Sequence, residues 1–201
     1  MLGLVMGCIL STSAVFAGNE KFSDVSSSHP NYTAIMYLKD LGILQGYADG
    51  SFRPDQAVNR VEALKIILLG SGTSLTTLHG TGGFSDTDAN AWYATYIMNA
   101  LQLGIIQGYP DGTFKPAQTV NLVENLKILL KTENVDLSKI IVATNPYADT
   151  DVAAWYAKYV QYAKDKHLID ADVQNKIYPS QAMTRAKLAE VMYRLMYIRS
   201  N

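Results

Sequence analysis

The stretches "GYADGSFRP" at residues 46–54 and "GYPDGTFKP" at residues 108–116 are nearly identical, and they begin 62 positions apart. Each contains an Asp-Gly pair, Asp49-Gly50 in the first and Asp111-Gly112 in the second. Such pairs are typical of tight turns, because aspartate bonds to the nearby backbone and glycine accepts a positive φ without steric cost. We therefore interpret these four residues as structural turn residues.

The turns recur at fixed places in a longer repeat. Each copy opens with an aromatic residue and reaches a proline 32 residues later: Phe22 and Pro54, Phe84 and Pro116, Tyr147 and Pro179. The third copy carries "ADVQNKIYP" at residues 171–179, which has the same length but lacks the glycines. A spacing kept over three copies predicts tandem units of one structure. We expect repeat 1 at 18–70, a flexible linker at 71–83, repeat 2 at 84–131, a second linker at 132–146 and repeat 3 at 147–198.

Each copy predicts a helix, a turn and a second helix. Apolar residues recur three and four positions apart in both helical segments, which is the spacing of one buried helix face. Asn59 with Glu62, and Asn121 with Glu124, are expected to form capping boxes at the start of the second helix. One helix pair buries too little apolar surface to be stable alone, so the copies are expected to share a core. The predicted fold is mainly α, with three helix-turn-helix units around a pseudo-threefold axis.

The composition excludes several classes of protein. Hydrophobic residues make up 48% of the 201 residues and charged residues 17%, which argues against extended disorder. The formal net charge of −1 argues against binding nucleic acid through a basic surface. The three histidines, His29, His79 and His167, are scattered, and no nucleophile, metal-ligand or cofactor motif accompanies them. We therefore predict a protein with no enzymatic activity, no metal site and no cofactor.

The first 17 residues, "MLGLVMGCILSTSAVFA", are uncharged and mostly apolar. They predict a signal peptide cleaved after Ala17, although the usual positive charge before the apolar run is absent. A membrane anchor is the alternative, but this run is short for a bilayer span and contains glycine, serine and threonine. Contact with the membrane is thus expected only through this segment before cleavage. Cleavage would remove Cys8, the single cysteine of the chain.

Further distinctive segments are the opening "FSDV" and the helix starts "NRVE" and "TRAK". With the quoted turns, they resemble S-layer homology domains over about residues 22–196. The resemblance implies a spindle with three prongs, whose grooves bind secondary cell-wall polysaccharide, often through an acidic pyruvate ketal. It also implies that Arg60 and Arg185 meet the acidic group. Trp92 and Trp155 would face the sugar, and Gly46 and Gly108 would line the site. Leu122 takes the arginine position in repeat 2, so one groove is expected to lack its cation, and the altered turn of repeat 3 is expected to weaken binding.

The chemistry of the arginines agrees with this assignment. A guanidinium binds a carboxylate through two parallel hydrogen bonds, and a helix N-terminus also favours an anion. The alternatives are that Arg60 and Arg185 are solvated surface residues and that Trp92 and Trp155 are core residues. The function expected is non-covalent anchoring of an exported protein to the bacterial cell wall or surface layer. The chain could instead be the anchoring part of a larger exported enzyme, or an envelope module that binds another protein or itself.

Overall fold

The computed structural model describes residues 21–200, and the predicted signal peptide and Cys8 lie outside this range. The described residues form six α-helices and one short 3₁₀ helix: α1 Tyr32–Asp40, α2 Arg60–Gly70, α3 Ala94–Gln102, α4 Leu122–Thr132, the 3₁₀ helix Leu137–Lys139, α5 Ala157–Asp165 and α6 Arg185–Ser200. Within residues 21–200 there is no β-strand, and β pairing is limited to three isolated bridges. The prediction of a mainly α fold with two helices per repeat is confirmed.

The second helices of repeats 1 and 2 begin at the predicted capping boxes. Asn59 Oδ1 accepts a hydrogen bond from the backbone N–H of Glu62 at 2.8 Å, and Glu62 Oε2 accepts one from Asn59 N at 3.2 Å. Asn121 and Glu124 repeat this exchange. In repeat 3 Thr184 Oγ1 accepts from the backbone of the third helical residue at 3.2 Å, without the reciprocal bond. These bonds satisfy N–H groups that the first helical turn leaves unpaired.

An aspartate near the start of each repeat holds the turn that precedes the second helix. In repeat 1 the carboxylate of Asp24 accepts backbone hydrogen bonds from Phe52 and Arg53, both at 2.7 Å. Arg53 has a φ of 59° and lies directly before Pro54, an unfavourable backbone conformation for a residue with a side chain. Equivalent aspartates hold equivalent turns in the other repeats: Asp86 with Phe114 and Lys115, and Asp149 with Ile177 and Tyr178.

A ring of backbone hydrogen bonds closes the three repeats around a pseudo-threefold axis. Val58 N donates to Met183 O at 2.9 Å, Met183 N donates to Val120 O at 2.9 Å, and Val120 N donates to Val58 O at 3.3 Å. The three residues are at most 1% exposed. The expected pseudo-threefold spindle is therefore present, and its axis passes through the segments just before α2, α4 and α6.

The prongs of the spindle are built by neighbouring repeats. The most extensive helix contacts pair α2 with α3, α4 with α5, and α6 with α1, while α2 also packs against α4 and α6. Each pair thus joins the second helix of one repeat to the first helix of another. The buried core runs through all three repeats and includes Phe52, Phe114 and Ile177, each at most 1% exposed. No repeat buries its helices by itself, which follows from their small size.

Residues 71–83, expected to be a flexible linker, are attached to α3. The buried Asn99 donates to Thr76 O at 2.8 Å and accepts from Thr76 N at 3.1 Å. Thr95 Oγ1 exchanges a similar pair of hydrogen bonds with the backbone of Leu78. The expectation of flexibility came from the Gly, Ser and Thr content, but these side chains give the linker's backbone partners that composition does not show. In the second linker, residues Leu137–Lys139 form a 3₁₀ helix.

Candidate functional site

Three grooves lie between the prongs. Two of them combine residues from all three repeats, and the third is lined by residues of repeats 1 and 3. Groove I is lined by the turn and α2 of repeat 1, together with one residue each from repeats 2 and 3, and encloses a cavity of about 220 Å³. Besides three aliphatic residues, its lining is Gln45, Gly46, Tyr47, Glu62, Lys65, Trp92 and Arg185. The sequence alone did not indicate which copies meet at a groove.

Groove II is the equivalent site one repeat further along the chain. It is formed by the turn and α4 of repeat 2, Trp155 of repeat 3 and Arg60 of repeat 1, around a cavity of about 150 Å³. Lys127 occupies the position of Lys65, and Lys131 adds a second ammonium group. The predicted binding residues are therefore sorted into two sets, with Arg185, Trp92 and Gly46 in groove I and Arg60, Trp155 and Gly108 in groove II.

The two arginines lie over equivalent pairs of aromatic rings. The guanidinium carbon of Arg185 is 5.1 Å from the ring centre of Tyr47 and 4.5 Å from that of Phe52. The corresponding distances for Arg60 are 5.1 Å to Tyr109 and 4.9 Å to Phe114. Aromatic faces attract cations, so each arginine is held at the seam between its own repeat and the next one around the axis.

The hydrogen bonds of the two arginines differ. Arg185 is 6% exposed, and its Nε and Nη2 donate to the carbonyls of Phe52 and Gln45, both at 2.8 Å. Arg60 is only partly buried, and its Nε is a buried donor without a hydrogen-bond partner among residues 21–200. The interpretation of both residues as solvated surface arginines is wrong, because Arg185 is buried and Arg60 is partly buried in a groove.

The tryptophans are exposed at the mouths of their grooves. Trp92 is 57% exposed and Trp155 is 56% exposed, so neither is a core residue. Lys65 Nζ lies 5.5 Å from the ring centre of Trp92, and Lys127 Nζ lies 5.2 Å from that of Trp155. A second cavity borders Trp155 on the side of the 3₁₀ helix. Each indole thus presents a flat apolar surface beside positive charge, which is a suitable platform for a sugar ring.

The groove glycines have a packing role. A Cβ on Gly46 would lie 2.5 Å from Phe22 Cε1 and 2.7 Å from the carbonyl oxygen of Ser51. Gly108 is placed the same way against Phe84 and Thr113, and its φ is 71°. Their small size therefore lets the opening aromatic residue of each repeat pack under the turn, whatever else the groove contacts.

The residues interpreted as structural occupy the turn itself. Asp49 Oδ1 accepts hydrogen bonds from Ser51 N at 2.9 Å and from Ser51 Oγ at 2.5 Å. These bonds and the ion pair with Arg53 lower the pKa of Asp49 to about 2. Gly50 follows with a φ of 78°. Asp111 and Gly112 form the same turn in repeat 2, and Asn175 adopts a φ of 57° at the equivalent place in repeat 3.

Groove III differs from the other two in charge. Leu122 occupies the arginine position and is 1% exposed, and Pro30 lies where the tryptophans lie in the other grooves. Asp170 and Glu190 replace a glutamine and a lysine, and both form ion pairs with Arg194. The hydrogen bond from Arg194 holds the pKa of Asp170 below its ordinary value. Arg194 is therefore already paired within the protein, and Lys187 is the other cationic side chain of groove III.

Sequence analysis did not identify five residues that lie in or beside grooves I and II: Lys65, Lys127, Lys131, Tyr47 and Tyr109. The repeat spacing contained a signal for the first two, because Lys65 and Lys127 are equivalent positions in the second helices. Among residues 21–200, no cluster of three potential metal ligands occurs, and no helix has the length and apolar character needed to cross a membrane.

Comparison of the sequence with known protein families identifies the family of this chain. A model of the S-layer homology domain matches it three times, at residues 21–64, 83–121 and 146–189. Similar proteins include Cell surface glycoprotein 1 of Acetivibrio thermocellus, 27% identical over 77% of this chain and 7% of that protein. The Surface-layer 125 kDa protein of Lysinibacillus sphaericus is 29% identical over 80% of this chain and 14% of that protein.

The Cellulosome-anchoring protein of Acetivibrio thermocellus is 27% identical over 68% of this chain and 31% of that protein. The chain thus spans less than a third of the length of each of these three relatives. Their names support the predicted location at the bacterial cell wall or surface. The three matches coincide with the three repeats whose grooves are described above, and the chain belongs to the S-layer homology domain family.

Proposed function

We propose that this protein attaches an exported polypeptide to the bacterial cell envelope by binding an acidic cell-wall polysaccharide in grooves I and II. The observation that carries the proposal is a constellation present twice: an arginine from one repeat, a lysine from the next and an exposed tryptophan from the one after. An arginine and a lysine favour a carboxylate, and the indole favours the apolar face of a sugar ring.

The two arginines stand at equivalent helix starts. Arg60 is the first residue of α2 and Arg185 the first residue of α6. Their backbone N–H groups donate to Gln118 O and Gln56 O, so the positive charge offered to an anion is that of the guanidinium. A secondary cell-wall polysaccharide bearing a pyruvate ketal has the charge and ring structure that such a groove accepts.

Groove III has no such role in this proposal, because its arginine position holds Leu122 and Arg194 is paired with Asp170 and Glu190. No catalytic role is proposed for any groove. The similarity to a cellulosome-anchoring protein and to surface-layer proteins supports attachment. In this proposal the protein is a binding module whose activity is adhesion.

Sedimentation with purified sacculi tests the proposal. The protein is expected to pellet with sacculi that retain their polysaccharide and to remain in solution with sacculi stripped of it by acid. The Arg60→Ala and Arg185→Ala double variant is expected to remain in solution with both preparations while keeping the helical circular dichroism of the wild type. Equal binding to intact and stripped sacculi would contradict the proposal.

A further inference from the structure

We propose that grooves I and II are not equivalent, and that groove II is the principal site for the acidic sugar. In this view Arg60 is the arginine that contacts the ligand, whereas Arg185 mainly joins repeat 3 to repeat 1. The inference deepens the proposed function and rests on it. It concerns two positions that the repeat makes equivalent but that differ in their contacts.

The first difference is the number of hydrogen-bond donors left for a ligand. Arg185 uses Nε and Nη2 on two carbonyls of repeat 1 and is 6% exposed. Two of its five N–H groups are thus engaged, and its burial restricts the access of a carboxylate to the other three. Arg60 is over the equivalent rings, but its Nε has no partner among residues 21–200. A buried donor without a partner is costly, so the guanidinium of Arg60 is less completely paired than that of Arg185. Because Arg60 is only partly buried, the rest of its guanidinium can meet a carboxylate.

The second difference is positive charge. Groove II contains Arg60, Lys127 and Lys131, whereas groove I contains Arg185 and Lys65. Leu69 occupies the position in repeat 1 that Lys131 occupies in repeat 2. Lys131 is tethered near the groove, since its Nζ donates to Gly104 O at 3.3 Å. The additional ammonium raises the local potential that an acidic sugar meets.

The chain itself supplies a matched substitution for a test. Leu122 shows that this fold accepts leucine at the arginine position, so Arg60→Leu and Arg185→Leu reproduce a residue already present in repeat 2. Arg60→Leu is expected to lower affinity for intact sacculi about tenfold or more, because a charge-assisted pair is lost. Arg185→Leu is expected to lower affinity much less and to lower Tm by about 4–8 °C, because two carbonyls lose their donors.

A second pair of variants keeps the test valid if Arg185→Leu does not fold. Lys127→Ala and Lys65→Ala remove equivalent lysines beside Trp155 and Trp92, outside the core. Lys127→Ala is expected to weaken sacculus binding more than Lys65→Ala. Equal losses from the two lysine variants, or a folded Arg185→Leu protein that binds as weakly as Arg60→Leu, would overturn the inequality of the grooves while leaving attachment intact. A wild-type protein that ignores intact sacculi would instead overturn the proposed function on which the inequality rests.

Discussion

At the scale of single residues, the repeat assigns the same position different tasks in different copies. The aspartate position has the same role in every repeat. Each carboxylate accepts two backbone hydrogen bonds from its own turn, in Asp24, Asp86 and Asp149 alike. The arginine position does not, because it holds a partly buried Arg60 with an unpaired Nε, a buried Leu122 and a buried Arg185 bonded to two carbonyls. The aspartates that hold the turns are thus uniform, whereas the arginine position has diverged.

Substitution of Asp24 by alanine is expected to lower the free energy of unfolding by about 1–3 kcal/mol, because two backbone N–H groups lose a charged acceptor. The strained φ of 59° at Arg53 would then lack its support. Chemical denaturation followed by circular dichroism measures the loss. Asp40→Ala, which removes an exposed carboxylate at the end of α1, is the control and should cost nothing. An Asp24→Ala protein as stable as this control would show that the two hydrogen bonds to Asp24 contribute nothing to stability.

The pKa of the Asp24 carboxyl predicts how acid changes the stability of the fold. Partial burial works to raise the pKa of Asp24, but the hydrogen bonds from Phe52 and Arg53 outweigh it, and the pKa lies below the ordinary value of 3.8. A group with a depressed pKa in the folded state stabilises the fold above 3.8, and this contribution is lost as the pH falls through the folded pKa. We expect Tm to fall below about pH 4 and to fall less steeply in Asp24→Ala. Identical pH profiles for the two proteins would contradict this assignment.

At the scale of elements, the helix starts and turns follow from local sequence, and the linkers do not. Asn59 with Glu62 identified a helix start because a capping box involves residues only three apart. The path of residues 71–83 depends on Asn99 and Thr95, which come later in the chain and meet the linker only after folding. Composition alone therefore indicated a flexible segment where the structure has an attached one.

Replacing Asn99 by alanine is expected to release the linker from α3. Three hydrogen bonds of the buried amide join it to Thr76 and to Thr95, and their loss would expose the backbone of residues 75–79 to solvent. Hydrogen exchange of those amides should accelerate, while exchange in α2 and α4 stays slow. Gln102→Ala, at the exposed end of the same helix, is the control. Unchanged exchange in the Asn99 variant would mean that other contacts hold the linker.

At the scale of the whole molecule, the three repeats form one cooperative body because their helices pair across repeat boundaries. The sequence was sufficient to predict three copies, a shared core and pseudo-threefold symmetry. The repeat period predicted the copies, and the apolar spacing predicted helix faces that must be buried together. It did not show that α1 pairs with α6 or that grooves I and II each need three repeats. Those facts depend on which faces meet after the ring closes at Val58, Val120 and Met183.

Removal of repeat 3 is expected to abolish folding rather than to shorten the protein by one unit. A fragment of residues 18–146 would lose α5 and α6, the partners of α4 and α1, and two of the three bonds of the central ring. Calorimetry of the longer chain should show one transition, and the fragment should show none. A fragment that melts cooperatively near the temperature of the longer chain would contradict the single-body account.

The central claim is that an acidic polysaccharide binds beside the tryptophans, and the fluorescence of the protein reports on it directly. The chain has only two tryptophans, Trp92 in groove I and Trp155 in groove II. Titration with polysaccharide released from sacculi should give a saturable change in emission that persists in Trp92→Phe and is largely lost in Trp155→Phe and in Arg60→Leu. A protein that pellets with intact sacculi but shows no change in tryptophan emission on titration would contradict the account.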